Sequence, residues 1–288
     1  MTLVYRNLDQ ENLNAGYNAR ATVPNVEEFL AEYASRSAQA RVKLDCIENI
    51  AYGDHPDEIM DIFPAGSNSP IFIFIHGGYW RALSHKESAS MAPGMVAKGI
   101  TLVTLNYSLA PDVSLDLIVS QCRRALAWTY KNVDLFGGDN SQIFVGGSSA
   151  GGHLTGMLLT GGWHSAEGVP LDIVKGAVLL SGLYELEPIR LSNINEWIHL
   201  DKDSVQRNSP LRNLPTSGCP VIISFGQSET IEFKRQSIEF ADAWRSRGWS
   251  CDLFEMAGRN HFDIIFDLDN PDTQIGHAVF NLVLENQK

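Results

Sequence analysis

The pentapeptide Gly147-Ser148-Ser149-Ala150-Gly151 fits G-x-S-x-G, with the apolar run Ile143 to Val145 before it and a helical pattern after it. In such a motif the middle serine stands on a strained strand-to-helix turn, flanked by glycines because side chains there would collide. Ser149, not Ser148, is therefore the candidate nucleophile. A glycine-rich turn or phosphate loop is the plainer reading of five residues, so the question is whether chemical partners follow. A serine hydroxyl attacks a carbonyl only when a histidine takes its proton and a carboxylate orients that histidine.

After a serine of this kind, the acid and then the histidine come later in the chain. Of the eight histidines, only His261 and His277 follow the last expected strand. His277 falls inside the helical pattern "TQIGHAVFNLVLEN", whereas His261 lies in the loop "AGRNHFDII", where the base belongs. The acid is expected just past the preceding strand, and "PVIISFGQSETIEFKRQ" offers Glu229, with Glu232 as its competitor. Asp252, inside a strand, and Asp263, after the histidine, are weaker candidates. Any one of these carboxylates alone would read as a surface charge. The oxyanion of a tetrahedral intermediate needs backbone N–H donors, one following the nucleophile and others from the loop after an earlier strand. Ala150 provides the first, and Gly78 and Tyr79 in "IFIFIHGGYW" provide the others. Oxyanion loop, nucleophile, acid and base thus occur in the chain order expected around a strand-to-helix serine of this kind.

His76 opens the oxyanion loop and reads as a loop anchor, and His153, one helical turn past Ser149, as structural. His55, His85, His164 and His199 have no ligand spacing, and there is no H-E-x-x-H or carboxylate cluster, so neither a metal nor a cofactor is expected. Tyr79, Trp80, Tyr184, Trp197 and Phe262 fall near the motif loops and are expected to line an aromatic substrate site. Any one of them taken alone reads as ordinary core.

These residues need a scaffold. From Ile71 onward, apolar runs alternate with helical patterns: 71–76, 101–107, 143–147, 174–182, 220–226 and 251–256. Such runs read as strands buried on both faces, and the alternation implies an α/β fold, a mainly parallel sheet covered by helices. "SLDLIVSQCRRALAWTYKNV" places Leu115, Ile118, Cys122, Leu126 and Thr129 on one helical stripe. Residues 1–45 read as a helical N-terminal segment, and "IENIAYG" and "EIMDIFPA" as shorter strands of an antiparallel lead-in. "FGGDNSQ" (136–142) reads as a turn. Residues 183–215 read as a cap insertion over the sheet edge, within one domain spanning 1–288.

Composition narrows the partners. The net charge of −12 argues against nucleic acid and anionic membranes. No apolar run reaches the roughly 18 residues of a membrane span, and the first residues show no signal-peptide pattern, so a cytoplasmic location is expected. The four cysteines are scattered and read as reduced thiols. A small-molecule substrate is the expected partner, with a homodimer left open.

With these residues located, the chain resembles the α/β-hydrolase type of kynurenine formamidase (arylformamidase), close to the hormone-sensitive-lipase-like esterases. The likeness runs through "YNAR", "HGGYW" (76–80), "GSSAGGH" (147–153), "SGLYELEPI" (181–189), "EFKRQS" (232–237) and "NHFDII" (260–265). It implies an α/β-hydrolase fold, with Ser149 as nucleophile, Glu229 as acid and His261 as base. Two departures stand out: relatives commonly carry Asp where this chain has Glu229, and Gly147-Ser148 replaces the Gly-Asp of the lipase-like branch. The implied reaction is hydrolysis of a small formamide, an N-formyl arylamine. A short-chain carboxylesterase would use the same machinery, while a non-catalytic binding protein on this fold is disfavoured by the intact Ser149, Glu229 and His261.

Overall fold

The computed structural model describes residues 2–285. Eight strands form one sheet: β1 (Ile47–Ala51), β2 (Ile59–Phe63), β3 (Ser69–Ile75), β4 (Thr101–Leu105), β5 (Gly138–Ser148), β6 (Gly176–Leu180), β7 (Val221–Gly226) and β8 (Cys251–Met256). They lie in the order β1-β2-β4-β3-β5-β6-β7-β8. β1 and β2 form the antiparallel lead-in, β2 joins β4 antiparallel, and every later pairing is parallel.

The central strands are buried along their whole length, as parallel strands covered on both faces must be. Alternation along β3 feeds two apolar layers: Ile71, Ile73 and Ile75 pack into one, Phe72 and Phe74 into the other. The two edge strands, β1 and β8, are only partly covered.

The helices are α1 (Gln10–Gly16), α2 (Val26–Lys43), α3 (Ala92–Ala97), α4 (Leu115–Lys131), α5 (Ala150–Leu159), α6 (His164–Glu167), α7 (Glu187–Leu191), α8 (Asn195–Ile198), α9 (Lys202–Asn208), α10 (Ile231–Ser246) and α11 (Gln274–Leu284). α4 begins where the Ser114 hydroxyl caps the Leu117 N–H and buries the expected stripe of Leu115, Ile118, Cys122, Leu126 and Thr129. α5, the helix after the serine, is buried on every side. None of the described helices is long and apolar enough to cross a membrane.

One expectation is corrected here. Residues 138–142 do not form a turn: β5 already begins at Gly138, which pairs with Ser69 across a register shift in β3. The polar run Asp139-Asn140-Ser141 is the partly exposed start of a strand whose second half is core. Residues 183–215 contain α7, α8 and α9, joined by short loops.

Strand order also marks where a site can form. After β3 the chain pairs β4 on one side of it and β5 on the other, so the chain leaves the ends of β3 and β5 in opposite directions. Open parallel sheets bind ligands at such a switch point, outside the carboxyl ends of the strands. His76 follows β3 there, and Ser149 follows β5.

Candidate active site

Ser149 joins β5 to α5 at φ 59 and ψ −118, a backbone conformation that costs a non-glycine residue on the order of 1–3 kcal/mol. Its neighbours make the turn geometrically possible. A Cβ on Gly151 would stand 2.0 Å from the Ile75 carbonyl oxygen. Only a bare backbone lets β3 and the start of α5 approach so closely.

His261 reaches the site from the loop after β8, and its Nδ1 is 2.8 Å from Glu229 Oε2. The other Glu229 oxygen accepts from the Ser181 hydroxyl at 2.5 Å and from the Gly226 N–H at 2.7 Å. Three partners thus fix the carboxylate. The imidazole packs on Phe233, with ring centroids 4.5 Å apart. Asn260 braces the loop, its side-chain oxygen accepting from the Phe262 and Asp263 N–H groups.

The competing carboxylates have other partners. Glu232 accepts from the Tyr17 hydroxyl at 2.9 Å and pairs with Arg235 at 2.6 Å. Burial raises its pKa, but Arg235 and Tyr17 more than offset this and hold the carboxyl below its ordinary range. Asp263 accepts from the Asn260 N–H, and Asp252 is exposed on the edge strand β8.

The loop after β3 passes directly beside the nucleophile: a Cβ on Gly77 would lie 2.8 Å from the Ser148 carbonyl oxygen and 3.2 Å from Ser149 Cβ. Gly78, Tyr79 and Trp80 follow at φ 100, 50 and 58. Three successive left-handed residues curl the chain so that the N–H groups of Gly78 and Tyr79 pair with no carbonyl among the described residues. The Ala150 N–H opens α5, where no intrahelical acceptor exists. Three free donors near one serine can stabilise an oxyanion.

The loop is anchored on several sides. The Tyr79 hydroxyl donates to the Tyr17 carbonyl at 2.5 Å, and the Trp197 indole N–H donates to the Tyr79 carbonyl at 3.2 Å. His76 stacks on Tyr107 with its Nδ1 2.9 Å from the Gly77 carbonyl. Burial pushes the His76 pKa down to about 4, so its ring is neutral and suited to hold a loop.

Ser148, Ser149, His261, Gly78 and Tyr79 open onto one cavity of about 380 Å³. Phe74, Phe262 and Trp197 line it, joined by Ile194 from the 183–215 segment and by Tyr17, Leu30 and Tyr33 from the N-terminal segment. Phe262 stacks on Phe29, and its carbonyl accepts from the Tyr33 hydroxyl. At the mouth, the Arg81 guanidinium lies 3.7 Å over the Trp197 ring.

Two of the expected substrate contacts fall elsewhere. Trp80 is wholly buried beneath the loop, its indole N–H 3.2 Å from His153 Nδ1, and Tyr184 is wholly buried against Phe240. Neither lines the cavity: the Trp80 ring packs edge to face on His153, and Tyr184, itself within the 183–215 segment, stacks on Phe240. Trp197 and Phe262 do line it. Sequence reasoning missed Ser181 and the N-terminal wall. A serine at a strand end carries no signal of its own, whereas "YNAR" marked Tyr17 and Asn18 without saying where they lie. Among the described residues no cluster of three His, Cys, Asp or Glu side chains could hold a metal ion.

Known proteins share this architecture. Residues 60–168 match the family model BD-FAE. A solved structure from Silicibacter sp. TM1040 superposes with a TM-score of 0.82 at 26% identity, covering 93% of this chain and 98% of its own. Esterase LipC of Mycobacterium tuberculosis is 26% identical over 75% of this chain and 60% of its own length. Kynurenine formamidase of Danio rerio is 30% identical over 92% of this chain and 93% of its own length. A likeness of that extent, on an eight-stranded sheet with this elbow and these loops, makes the chain a hydrolase of amide or ester bonds with the α/β-hydrolase fold, and it belongs to the kynurenine formamidase family.

Proposed function

We propose that the chain is a serine hydrolase that cleaves N-formyl arylamines through a formyl-enzyme on Ser149. The observation that carries this reading is the 2.8 Å contact between His261 Nδ1 and Glu229, in a cavity shared with a serine held at φ 59. Because Nδ1 faces the carboxylate, Nε2 is the nitrogen left to move protons. Ser149 Oγ bonds to the formyl carbon while Nε2 takes its proton. The negative oxygen that forms is met by the N–H groups of Gly78, Tyr79 and Ala150. The C–N bond then breaks, and the imidazolium returns the proton to the departing arylamine. Water repeats the sequence on the formyl ester, releasing formate and restoring Ser149.

Substrate class rests on fit. A formyl carbon carries only hydrogen on its acyl side and needs little space beside the Gly77–Tyr79 backbone that crowds Ser149. Trp197, Phe262, Tyr33 and Phe74 provide apolar faces for an aromatic ring. The likeness to a relative named kynurenine formamidase supports a formamide substrate, and the likeness to Esterase LipC supports an esterase as the second reading. The deciding experiment compares kcat/KM for an N-formyl arylamine with that for the N-butyryl analogue. A preference for formyl of at least about tenfold is expected, the effect of one or two poorly accommodated methylenes. Preference for butyryl groups on amides and esters alike would establish the esterase reading instead.

A further inference from the structure

We propose that His153 is a positioning residue: its imidazole bridges Trp80 of the oxyanion loop to Asn208 of the cap and so sets that loop against Ser149. The inference rests on the reading of Ser149 as the nucleophile and of the Gly78–Tyr79 backbone as its oxyanion donor.

His153 is wholly buried in α5, one turn beyond Ser149. Its Nδ1 lies 3.2 Å from Trp80 Nε1, and its Nε2 lies 2.8 Å from the Asn208 carbonyl. An indole nitrogen only donates and a carbonyl only accepts. Nδ1 must therefore be the bare acceptor and Nε2 must carry the proton. The two neighbours select one tautomer, and burial, which draws the pKa down to about 4, keeps the ring neutral. The rings also meet edge to face, 5.1 Å apart at 89°.

Trp80 needs this hold. It ends the run of three left-handed residues that exposes the Gly78 and Tyr79 N–H groups, and left-handed backbone persists in bulky residues only where surroundings enforce it. Its carbonyl accepts from the Ala110 N–H at 2.7 Å. The bond to His153 is the second fixed point, and the one attached to the nucleophile's own helix. Beyond His153 the bridge continues: Asn208 ends α9, and its side-chain amide donates to Asp116 at 2.9 Å and to the Ser204 carbonyl at 3.0 Å. A shift of the cap at Asn208 would thus be felt at the oxyanion donors.

The test uses the full chain with Trp80→Phe, His153→Phe, the double variant and His153→Gln. Turnover of an N-formyl arylamine and of a p-nitrophenyl ester is measured beside the affinity for phenylboronic acid, which forms a tetrahedral adduct on a reactive serine. Each single Phe variant is expected to lower kcat by about tenfold to hundredfold, less than the loss of an oxyanion donor, with KM within about threefold. Phenylboronic acid should weaken in proportion. The double variant should be no worse than the poorer single, because both remove one bond. Gln offers an acceptor to Trp80 and a donor to Asn208, so His153→Gln should recover most of the lost kcat.

Wild-type kcat and boronate affinity in Trp80→Phe would overturn the proposal, as would losses that multiply in the double variant or a Gln variant as poor as Phe. Should His153→Phe fail to fold, Trp80→Phe and His153→Gln decide by themselves. Ser149→Ala separates the two levels of inference. Turnover surviving in it overturns the nucleophile reading, whereas its loss beside a fully active Trp80→Phe overturns only the role of His153.

Discussion

One oxygen of Glu229 meets His261 Nδ1 at 2.8 Å, while its other oxygen is held by Ser181 and the Gly226 N–H, so the carboxylate has no freedom to turn away from the imidazole. Glu229→Gln would present an amide to the same nitrogen and favour the wrong tautomer. Its kcat is expected to fall by about 10⁴, as when the carboxylate of such a triad is neutralised. Glu232→Gln, which loosens Tyr17 and Arg235, should retain turnover and lose thermal stability. A reversed pattern in steady-state kinetics would move the acid to Glu232.

Replacing Ser181 by Ala removes one of the three bonds on that carboxylate. Hydrogen bonds to charged groups contribute about 1.5–3 kcal/mol, so kcat is expected to fall by roughly tenfold to hundredfold. Unchanged kinetics in Ser181→Ala would mean that the Gly226 N–H and His261 suffice to orient Glu229.

The two adjacent serines should separate cleanly. Ser149→Ala is expected to cost about 10⁴ to 10⁶ in kcat, whereas Ser148→Ala keeps a substantial fraction. Comparable losses in two folded variants would argue against the elbow assignment.

Gly77→Ala tests the oxyanion loop by contact. The added methyl would stand 2.8 Å from the Ser148 carbonyl oxygen, so the loop must retreat from the nucleophile. A loss of about 10² to 10³ in kcat is expected, the scale of a lost oxyanion donor. Kinetics equal to wild type would show that the donors lie elsewhere.

Asp61, fully buried in β2, accepts from Lys86, Arg41 and the Asn49 N–H. Burial raises its carboxyl pKa, but these donors and His85 outweigh that and leave it below the ordinary value. A depressed folded pKa adds stability that is complete above the unfolded value of about 3.9 and is lost as pH falls through the folded one. Asp61→Asn should therefore destabilise by about 3 kcal/mol at pH 7 and equally at pH 5. The gap should narrow below about pH 4. Urea unfolding at several pH values reads this directly, and a gap independent of pH down to 3 would contradict it.

How much was legible beforehand follows from what each residue depends on. The strand-to-helix turn at Ser149 was legible because the elbow imposes glycine at fixed offsets, and the loop position of His261 because the other late histidine, His277, falls inside a helical pattern. β8, at Cys251–Met256, coincides with its apolar run, and α2, at Val26–Lys43, falls inside the N-terminal segment 1–45 that reads as helical. Trp80 was misplaced because proximity in sequence to a functional loop does not determine which way a ring turns when φ is positive. Ser181 and the Tyr17–Tyr33 wall escaped because their roles arise from contacts across more than 40 residues of chain, which no local pattern encodes.

The hydroxyl of Tyr79 rests on the Tyr17 carbonyl, and the Tyr17 hydroxyl rests on Glu232 and Gln236. In folding terms this joins positions more than 200 residues apart, the kind of distant closure that makes folding slow. The sheet can assemble from neighbouring strands and helices, but the wall over Ser149 waits until α10 is in place to receive Tyr17. During refolding, strand and helix signals should therefore recover before hydrolytic activity does.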